Sequence, residues 1–283
     1  MAGGQFVILL SGEPSLSAEH GSGVCYRCTL KTSGPARWAW ASDTHVCGDA
    51  DASQRGFQPA RQLERAVAEM RKFQPSGVLV NGDLAWSLGH SDDYERFLDI
   101  MRPLAERAAV VLAVGNHDDR GNLLACLANS RAPAPQWLAA VVKQPPFRVI
   151  ALDSSIDARA VGGEIGSAQL AWLEDELHAE PRAPTIICLH HPGESSSEGC
   201  SDFSGLVGLV RRQRCVQAVV TAHDHEYRVG QVGGAHHICL PAVGFPFDEH
   251  TPTGWIAAAL GRAGIELQLQ GSGSPAVAHL PWR

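Results

Sequence analysis

The chain has 283 residues, enough for one large domain with a substantial core or for two small ones. Apolar residues make up 45% of it and charged residues 19%, the balance of an ordinary globular protein. The net charge of −7 argues against a nucleic-acid-binding protein, which would carry a basic stripe. No apolar run reaches the roughly 18 residues that would indicate a membrane span.

The first residues and the cysteines both favour the cytoplasm. The start of the chain lacks a basic segment, and its apolar run at 6–10 is too short for a signal peptide. Eight cysteines are scattered without a disulfide pattern, so we expect them to be reduced and mostly buried. Cys25 and Cys28 form a CxxC pair, but they fall in an alternating segment that points them to opposite faces of a strand. No second CxxC completes a four-thiolate zinc site.

The order of predicted elements divides the chain into an extension and one main domain. Residues 1–37 are predicted to form an N-terminal β extension packed on the core, with strands near 5–10 and 24–31. The main domain is predicted to cover 38–283, because no linker in this range separates two cores.

Strands and helices alternate along the main domain. The predicted strands are 37–41, 78–80, 110–114, 147–152, 185–189, 216–220, 237–240 and 264–269. The predicted helices are 59–73, 91–102, 122–127, 167–178 and 205–213. Pro103 is expected to end the second helix, and a proline-rich loop is expected before the strand at 147–152.

Polar side chains follow five of these strands at the point where each strand ends. They are Asp43, His45, Asp83, Asn116, His117, His190, His223 and His225. Ligands of open α/β sheets bind outside the carboxyl ends of the strands, so these side chains are expected to form one site. All are nitrogen or oxygen donors, which suits Zn, Mn, Fe or Co. Without His117, seven donors exceed the four that one zinc ion takes, whereas two metal ions sharing one carboxylate would use all of them.

The charge of such a site favours an anionic substrate. Two divalent ions, two carboxylates and a bridging hydroxide leave about one positive charge, which would attract a phosphoryl group. Each donor taken alone could instead cap a helix or a turn, and His117 could have a structural role. His191 follows His190 on an extended segment and is expected to point away from it.

The donors also occur in five ordered motifs. These are Asp-x-His (43–45), Gly-Asp (82–83), Gly-Asn-His-Asp (115–118), His-His-Pro (190–192) and x-His-x-His (222–225). In this order, over residues 38 to about 250, the chain resembles the calcineurin-like metallophosphoesterase superfamily. The His-His-Pro and Gly-Asn-His-Asp-Asp forms are most similar to its bacterial class III cyclic-nucleotide phosphodiesterase branch. The resemblance implies an α/β fold, a four-layer α/β/β/α sandwich of two mixed sheets flanked by helices.

The resemblance also implies a role for each donor. Two divalent or trivalent transition-metal ions (Mn, Fe or Zn) would be bound, and a hydroxide bridging them would attack phosphorus. The implied ligands are Asp43, His45 and His225 for one ion, Asn116, His190 and His223 for the other, and Asp83 between them. Asn116 and His117 would contact the substrate, with His117 as the general acid. Where the family usually has glycine, this chain has Ala222, which would be strained if its φ were positive.

The implied activity is hydrolysis of a small-molecule phosphoester, a phosphodiester and by resemblance a cyclic nucleotide, with neither nucleic acid nor membrane as a partner. Two alternatives stay open: a phosphomonoesterase or nucleotide pyrophosphate hydrolase on the same core, and a non-catalytic metal-binding scaffold. Arg120 is the only arginine adjacent to a core motif, so an arginine clamp for a phosphomonoester is not evident. Specificity is expected in the loops 84–94, 154–166, 193–204 and 244–253. The apolar run 243–247 would either line the cleft or pack beneath the sheet edge.

Overall fold

The computed structural model of the protein describes residues 15–16, 23–30, 36–128, 134–193, 198–273 and 276–283. Within these ranges the helices are α1 (Pro59–Phe73), α2 (Ser91–Ala105), α3 (Arg120–Ala128), α4 (Ser167–Ala179) and α5 (Phe203–Arg212). The strands are β1 (Ser15–Leu16), β2 (Val24–Thr29), β3 (Ala36–Ala41), β4 (Gly77–Asn81), β5 (Ala109–Ala113), β6 (Leu138–Gln144), β7 (Phe147–Ala151), β8 (Thr185–Cys188), β9 (Val216–Thr221), β10 (Arg228–Val232), β11 (Ala235–Cys239), β12 (Gly254–Leu260), β13 (Gly264–Gly271) and β14 (Val277–Pro281).

The strands form two mixed sheets. In the described part of the chain, one sheet has eight strands in the order β1-β2-β6-β7-β8-β9-β11-β10, and the other has six in the order β14-β13-β12-β3-β4-β5. In the six-stranded sheet, β3, β4 and β5 are parallel, whereas β12 pairs antiparallel with β3. In the eight-stranded sheet, β7, β8 and β9 are parallel. The carboxyl ends of these two parallel groups carry the predicted site.

Three apolar layers hold the sheets and helices together. Between the two sheets, Trp38, Leu79 and Val111 of one sheet belong to the same buried cluster as Ile186 and Val220 of the other. A second cluster joins α1, α2 and α3 to the outer face of the six-stranded sheet, and a third joins α4 and α5 to the outer face of the eight-stranded sheet. The order of layers is therefore helix, sheet, sheet, helix, which confirms the predicted α/β/β/α sandwich.

Five strands, β1, β6, β10, β12 and β14, were absent from the prediction. The clearest case is β12, whose centre is Ala257, Ala258 and Ala259, because alanine has a low intrinsic preference for strands. Antiparallel partners on both sides, β3 and β13, make this segment a strand. Tertiary pairing of this kind is not visible in a local sequence window.

The prediction that Pro103 ends α2 was wrong. The helix continues to Ala105 with Pro103 inside its last turn. A proline at this position removes the hydrogen bond to the carbonyl of Asp99, and Asp99 lies on the exposed side of the helix. The backbone N–H groups of Glu106 and Ala108 still close the helix end on Arg102 and Leu104, at 3.0 and 2.9 Å.

The N-terminal segment is described in part. The predicted strand at 5–10 lies outside the described residues, whereas the strand predicted at 24–31 is β2, which pairs in parallel with β6 and so extends the eight-stranded sheet. The division at residue 37 stays a prediction. All eight cysteines are free and five of them are buried, and Cys25 and Cys28 pack against different apolar layers. No described helix is long and apolar enough to cross a membrane.

Candidate metal centre

The ends of five strands bring the eight predicted site residues together. Asp43 and His45 follow β3, Asp83 follows β4, Asn116 and His117 follow β5, His190 follows β8, and His223 and His225 follow β9. Neighbouring strands of one sheet supply the first three loops and neighbouring strands of the other sheet supply the last two. Because the sheets pack face to face, the two groups of loops meet at the same end of the sandwich.

The donor atoms form three overlapping triads in which all atoms lie within 4.8 Å of one another. The triads are Asp43, His45 and His225; His45, Asp83 and His117; and Asp83, His190 and His223. Asp83 belongs to two of them, and its Oδ2 lies 3.4 Å from His190 Nε2 and 3.7 Å from His45 Nε2. One carboxylate thus lies between two groups of donors.

The turns that carry the donors have an unusual backbone conformation. Asp43, His45, Asp83, His223 and His225 have φ values of 51°, 43°, 51°, 71° and 55°. The left-handed region is uncommon outside glycine, and Asp and His are among the residues that tolerate it best. Such conformations cost about 1 kcal/mol or more each and persist where surrounding contacts fix them.

Hydrogen bonds between the loops supply those contacts. The N–H groups of Thr44 and His45 donate to the carbonyl of Asp83 at 2.9 and 3.0 Å. Glycine is required at position 82, where a Cβ would lie 2.5 Å from the ring of His190 and φ is 91°. Ala222 causes no comparable strain, because the positive φ falls on the next residue and the methyl group is buried between the sheets.

Backbone carbonyls fix the orientation of three imidazoles. The Nδ1–H groups of His190, His225 and His117 donate to the carbonyls of Asn81, Phe245 and Ser87 at 2.8, 2.6 and 3.0 Å. A carbonyl oxygen only accepts, so Nδ1 carries the proton and Nε2 presents its lone pair to the site when the ring is neutral. This arrangement is common for histidines that bind metal ions.

Four buried polar atoms of the site residues make no hydrogen bond with the described residues. They are Asp43 Oδ1, His45 Nδ1, Asn116 Oδ1 and His190 Nε2. Unpaired buried polar atoms are rare because each loses its hydration without compensation. A carboxylate oxygen, an amide oxygen and an imidazole nitrogen form a donor set suited to a transition-metal ion, so the residues present fit such an ion.

The electrostatics of the site favour a positive charge at its centre. Burial opposes ionisation of Asp43, yet His225 and His190 lower the pKa of its carboxyl to about 2. Burial likewise disfavours a protonated His190, but Asp83 and Asp43 outweigh it and raise the pKa of the imidazole to about 10. Burial lowers the pKa of His45 to about 4. The two carboxylates therefore stabilise a positive charge next to them. Here the protonated His190 ring carries this charge, and a bound metal ion would equally supply it.

His117 differs from the other donors in exposure. Its side chain is 34% exposed, whereas those of Asp83 and His190 are 3% and 0% exposed. Its Nε2 lies 4.0 Å from Asp83 Oδ2, and its backbone N–H donates to Asp83 Oδ1 at 2.9 Å. His117 is thus the donor that faces solvent beside the shared carboxylate. Both ring nitrogens of His191, by contrast, are bonded to Ser154 Oγ and the carbonyl of Val161.

Asp118 is a positioning residue whose role is not evident from the sequence. Its buried carboxylate accepts backbone N–H groups from Leu84, Ala85 and Gly115, and the hydroxyl of Tyr94 donates to it at 3.2 Å. Asp118 thereby ties the loop after β5 to the loop after β4. Burial and the nearby charge of Asp83 raise the pKa of this carboxyl to about 6.

A small cavity opens over the donors. Its volume is about 140 Å³, and its lining includes Asp83, Asn116, His117 and His225. The four loops in which specificity is expected supply Trp86, Val161, Glu198 and Phe247 to the lining. Gln54 also lines it, from a segment that carries no motif.

Arg120 follows a donor motif and Arg55 contacts a residue of the cavity lining, but neither arginine lines the cavity itself. Arg120 Nε and Nη2 donate to the buried carboxylate of Asp153 at 2.6 and 2.9 Å. Arg55 Nη1 donates to the carbonyl of Phe247 at 3.1 Å at the cavity mouth. Of the described residues, no lysine or arginine lines the cavity itself.

Comparison with known proteins identifies relatives of this chain. A family model for calcineurin-like phosphoesterases matches residues 36–227. A cAMP/cGMP dual specificity phosphodiesterase of Mycobacterium tuberculosis is 32% identical over 199 residues, which are 65% of this chain and 60% of that protein. A glycerophosphodiester phosphodiesterase of Enterobacter lignolyticus is 27% identical over 178 residues, 60% of this chain and 63% of that protein. The chain thus matches about three fifths of each relative's length.

A solved structure supports the fold. The dimetal phosphatase from Danio rerio superposes with a TM-score of 0.66 at 17% identity, covering 88% of this chain and 100% of that one. The family match covers most of the chain and includes all five motifs. The chain therefore belongs to the calcineurin-like phosphoesterase family, whose members are metal-dependent hydrolases of phosphoric esters.

Proposed function

We propose that the protein is a phosphodiesterase that works with two transition-metal ions, Mn, Fe or Zn. The observation that carries the proposal is the position of Asp83 in two donor triads, with six other nitrogen and oxygen donors around it. The proposed ligands are Asp43, His45 and His225 for one ion, Asn116, His190 and His223 for the other, and Asp83 for both. When bound, such a pair of ions polarises the phosphoryl group and lowers the pKa of water, which supplies the nucleophile.

The residues of the chain then position the ester and its leaving group. Asn116 and His117 line the cavity and would contact the phosphoryl oxygens. His117 is exposed enough to reach the substrate, and the carbonyl of Ser87 fixes its ring. In its protonated form, Nε2 would donate a proton to the departing alkoxide, the usual task of a positioned general acid.

A diester suits this cavity better than a monoester. A phosphodiester carries one negative charge and a phosphomonoester carries up to two, and in the described residues no cationic side chain lines the cavity to balance the second charge. Arg120, the arginine closest in sequence to the motifs, is bound to Asp153 instead. Two relatives in the comparison are named phosphodiesterases, one for cyclic nucleotides and one for glycerophosphodiesters.

A panel of phosphoesters tests the proposal. With protein whose metal content is measured, we expect bis(4-nitrophenyl) phosphate and 3′,5′-cyclic nucleotides to be hydrolysed faster than 4-nitrophenyl phosphate and nucleotide pyrophosphates. The chelated protein should be inactive on all of them. Monoester turnover about tenfold or more above diester turnover, equivalent to about 1.4 kcal/mol of barrier, would favour the phosphomonoesterase alternative. No hydrolysis of any ester by the metal-loaded protein would favour the scaffold.

A further inference from the structure

The cavity mouth carries aromatic rings to which the proposed chemistry gives no task. Phe247 is 52% exposed, although it lies directly against the donor residues. Its ring stacks on the imidazole of His225, with centroids 3.9 Å apart and planes 9° from parallel. Trp86 lines the same cavity, and the carbonyl of the next residue, Ser87, holds His117. Phe247 thus lines the cavity against His225, and Trp86 lines it from the loop that holds His117.

A tight hairpin holds Phe247 in place from the solvent side. Gln54 and Phe57 exchange two backbone hydrogen bonds of 2.8 and 2.9 Å, and Arg55 and Gly56 between them have φ values of 51° and 83°. Positive φ at both positions is typical of a type I′ turn. The turn places the Arg55 guanidinium 5.4 Å from the Phe247 ring centroid, within cation–π range, while Nη1 bonds the Phe247 carbonyl. Phe247 is therefore exposed but held in one position by the His225 ring, by the Arg55 guanidinium and by the hydrogen bond to its carbonyl.

The volume of the cavity determines which part of a substrate it can enclose and which part must lie against Phe247 and Trp86. Pockets that enclose a drug-sized ligand measure about 300–1,000 Å³, whereas this cavity measures about 140 Å³. It has room for the phosphoryl group at the donors, so the remainder of a larger diester extends to the mouth. Outside the donor residues, the described part of the cavity lining has four apolar side chains and two polar ones, Gln54 and Glu198. The apolar ones are Trp86, Val161, Phe245 and Phe247.

We propose that Phe247 and Trp86 bind a planar nucleobase of the substrate and determine the specificity of the site. Bases stack on aromatic side chains regardless of their hydrogen-bonding pattern, so this surface would favour nucleotide diesters as a class over aliphatic ones. Arg55 would act as a positioning residue for Phe247. The inference rests on the proposed function and adds to it the residues that recognise the base.

A matched pair of substrates isolates the base. Adenosine 3′,5′-cyclic phosphate and methyl riboside 3′,5′-cyclic phosphate share the cyclic diester and the leaving alkoxide, but only the first has a base. For the wild-type protein we expect the kcat/KM ratio of the first to the second to be about tenfold or more, equivalent to about 1.4 kcal/mol, which is within the contribution of one stacked base. Phe247→Leu and Trp86→Leu should each lower this ratio, mainly through KM.

Leu88→Ala is the matched control, because Leu88 is 45% exposed on the same loop as Trp86 but lies outside the cavity lining. It should leave the ratio at the wild-type value, and the metal content of each variant should be measured. A wild-type ratio near one, or a ratio unchanged in both aromatic variants, would overturn the inference.

A binding measurement separates this inference from the proposed function. Adenosine 5′-monophosphate should bind metal-loaded wild-type protein at least about tenfold more tightly than ribose 5-phosphate, and Phe247→Leu should reduce that difference. Equal binding of the two ligands contradicts base recognition even if diesters are hydrolysed. Preferential binding of the nucleotide without diester hydrolysis supports base recognition and contradicts the proposed reaction.

Discussion

Asp83→Asn is expected to deplete metal ions at both proposed positions and to lower diester hydrolysis by at least about 10³-fold. Asp83 is the carboxylate shared by two donor triads, and its Oδ2 lies 3.4 Å from His190 Nε2 and 3.7 Å from His45 Nε2. An amide at this position removes the negative charge that both ions would share. The rate loss corresponds to about 4 kcal/mol, in keeping with the several kcal/mol that metal ions contribute.

Two control variants give this experiment its specificity. Asp43 belongs to one triad, so Asp43→Asn should mainly reduce occupancy at one position. Asp224 lies between His223 and His225 but pairs with Arg228 and belongs to no triad of the described residues, so Asp224→Asn should retain both ions. Elemental analysis and diester kinetics on the same samples check both expectations. Asp83→Asn protein with wild-type metal content would refute the bridging role.

His117→Ala is expected to lower the rate by roughly 10²–10⁴-fold, the usual contribution of a positioned general acid. Both metal ions should stay bound, because His117 is the exposed member of its triad and is not a proposed ligand, whereas the proposed ligands are buried. The loss should be largest for diesters with alkyl leaving groups, which need a proton to depart. It should be smallest for nitrophenyl esters, whose leaving groups depart readily without one.

The ratio of wild-type to variant rate, measured across a series of leaving-group pKa values, tests this assignment. His90→Ala is the matched control, because His90 is an exposed histidine at the start of α2, outside the cavity lining. A ratio that stays constant across the series would place His117 in phosphate binding. Loss of metal from His117→Ala would instead make it a ligand, as the triad with His45 and Asp83 permits.

The donor loops could be predicted because each follows a buried parallel strand. Strands such as β4 and β5 are buried along their whole length, so they appear in the sequence as continuous apolar runs. A polar residue that follows such a run must lie beyond the carboxyl end of the strand. Asp83 and Asn116 are found at this end of β4 and β5. The helices were predicted for a related reason, since the apolar stripe of α1 repeats at helical spacing.

Other features depend on contacts between distant segments. Tyr94 and Asp118 meet across 24 positions of the chain, and Arg55 and Phe247 meet across 192. No spacing rule connects such pairs. The run 243–247 left two roles open, and the structure shows that both phenylalanines line the cavity to different degrees: Phe245 is 2% exposed and packed inside, whereas Phe247 is exposed at the cavity mouth. Only the packed chain distinguishes them.

The central claim is that one chain binds two metal ions at these strand ends and uses both for hydrolysis. The most direct test is to reconstitute metal-free protein with Mn or Zn, and to follow bound metal by elemental analysis and hydrolysis of bis(4-nitrophenyl) phosphate at each step. We predict that binding saturates at two ions per chain and that most of the activity appears with the second. Saturation at one ion or fewer with full activity would contradict the claim.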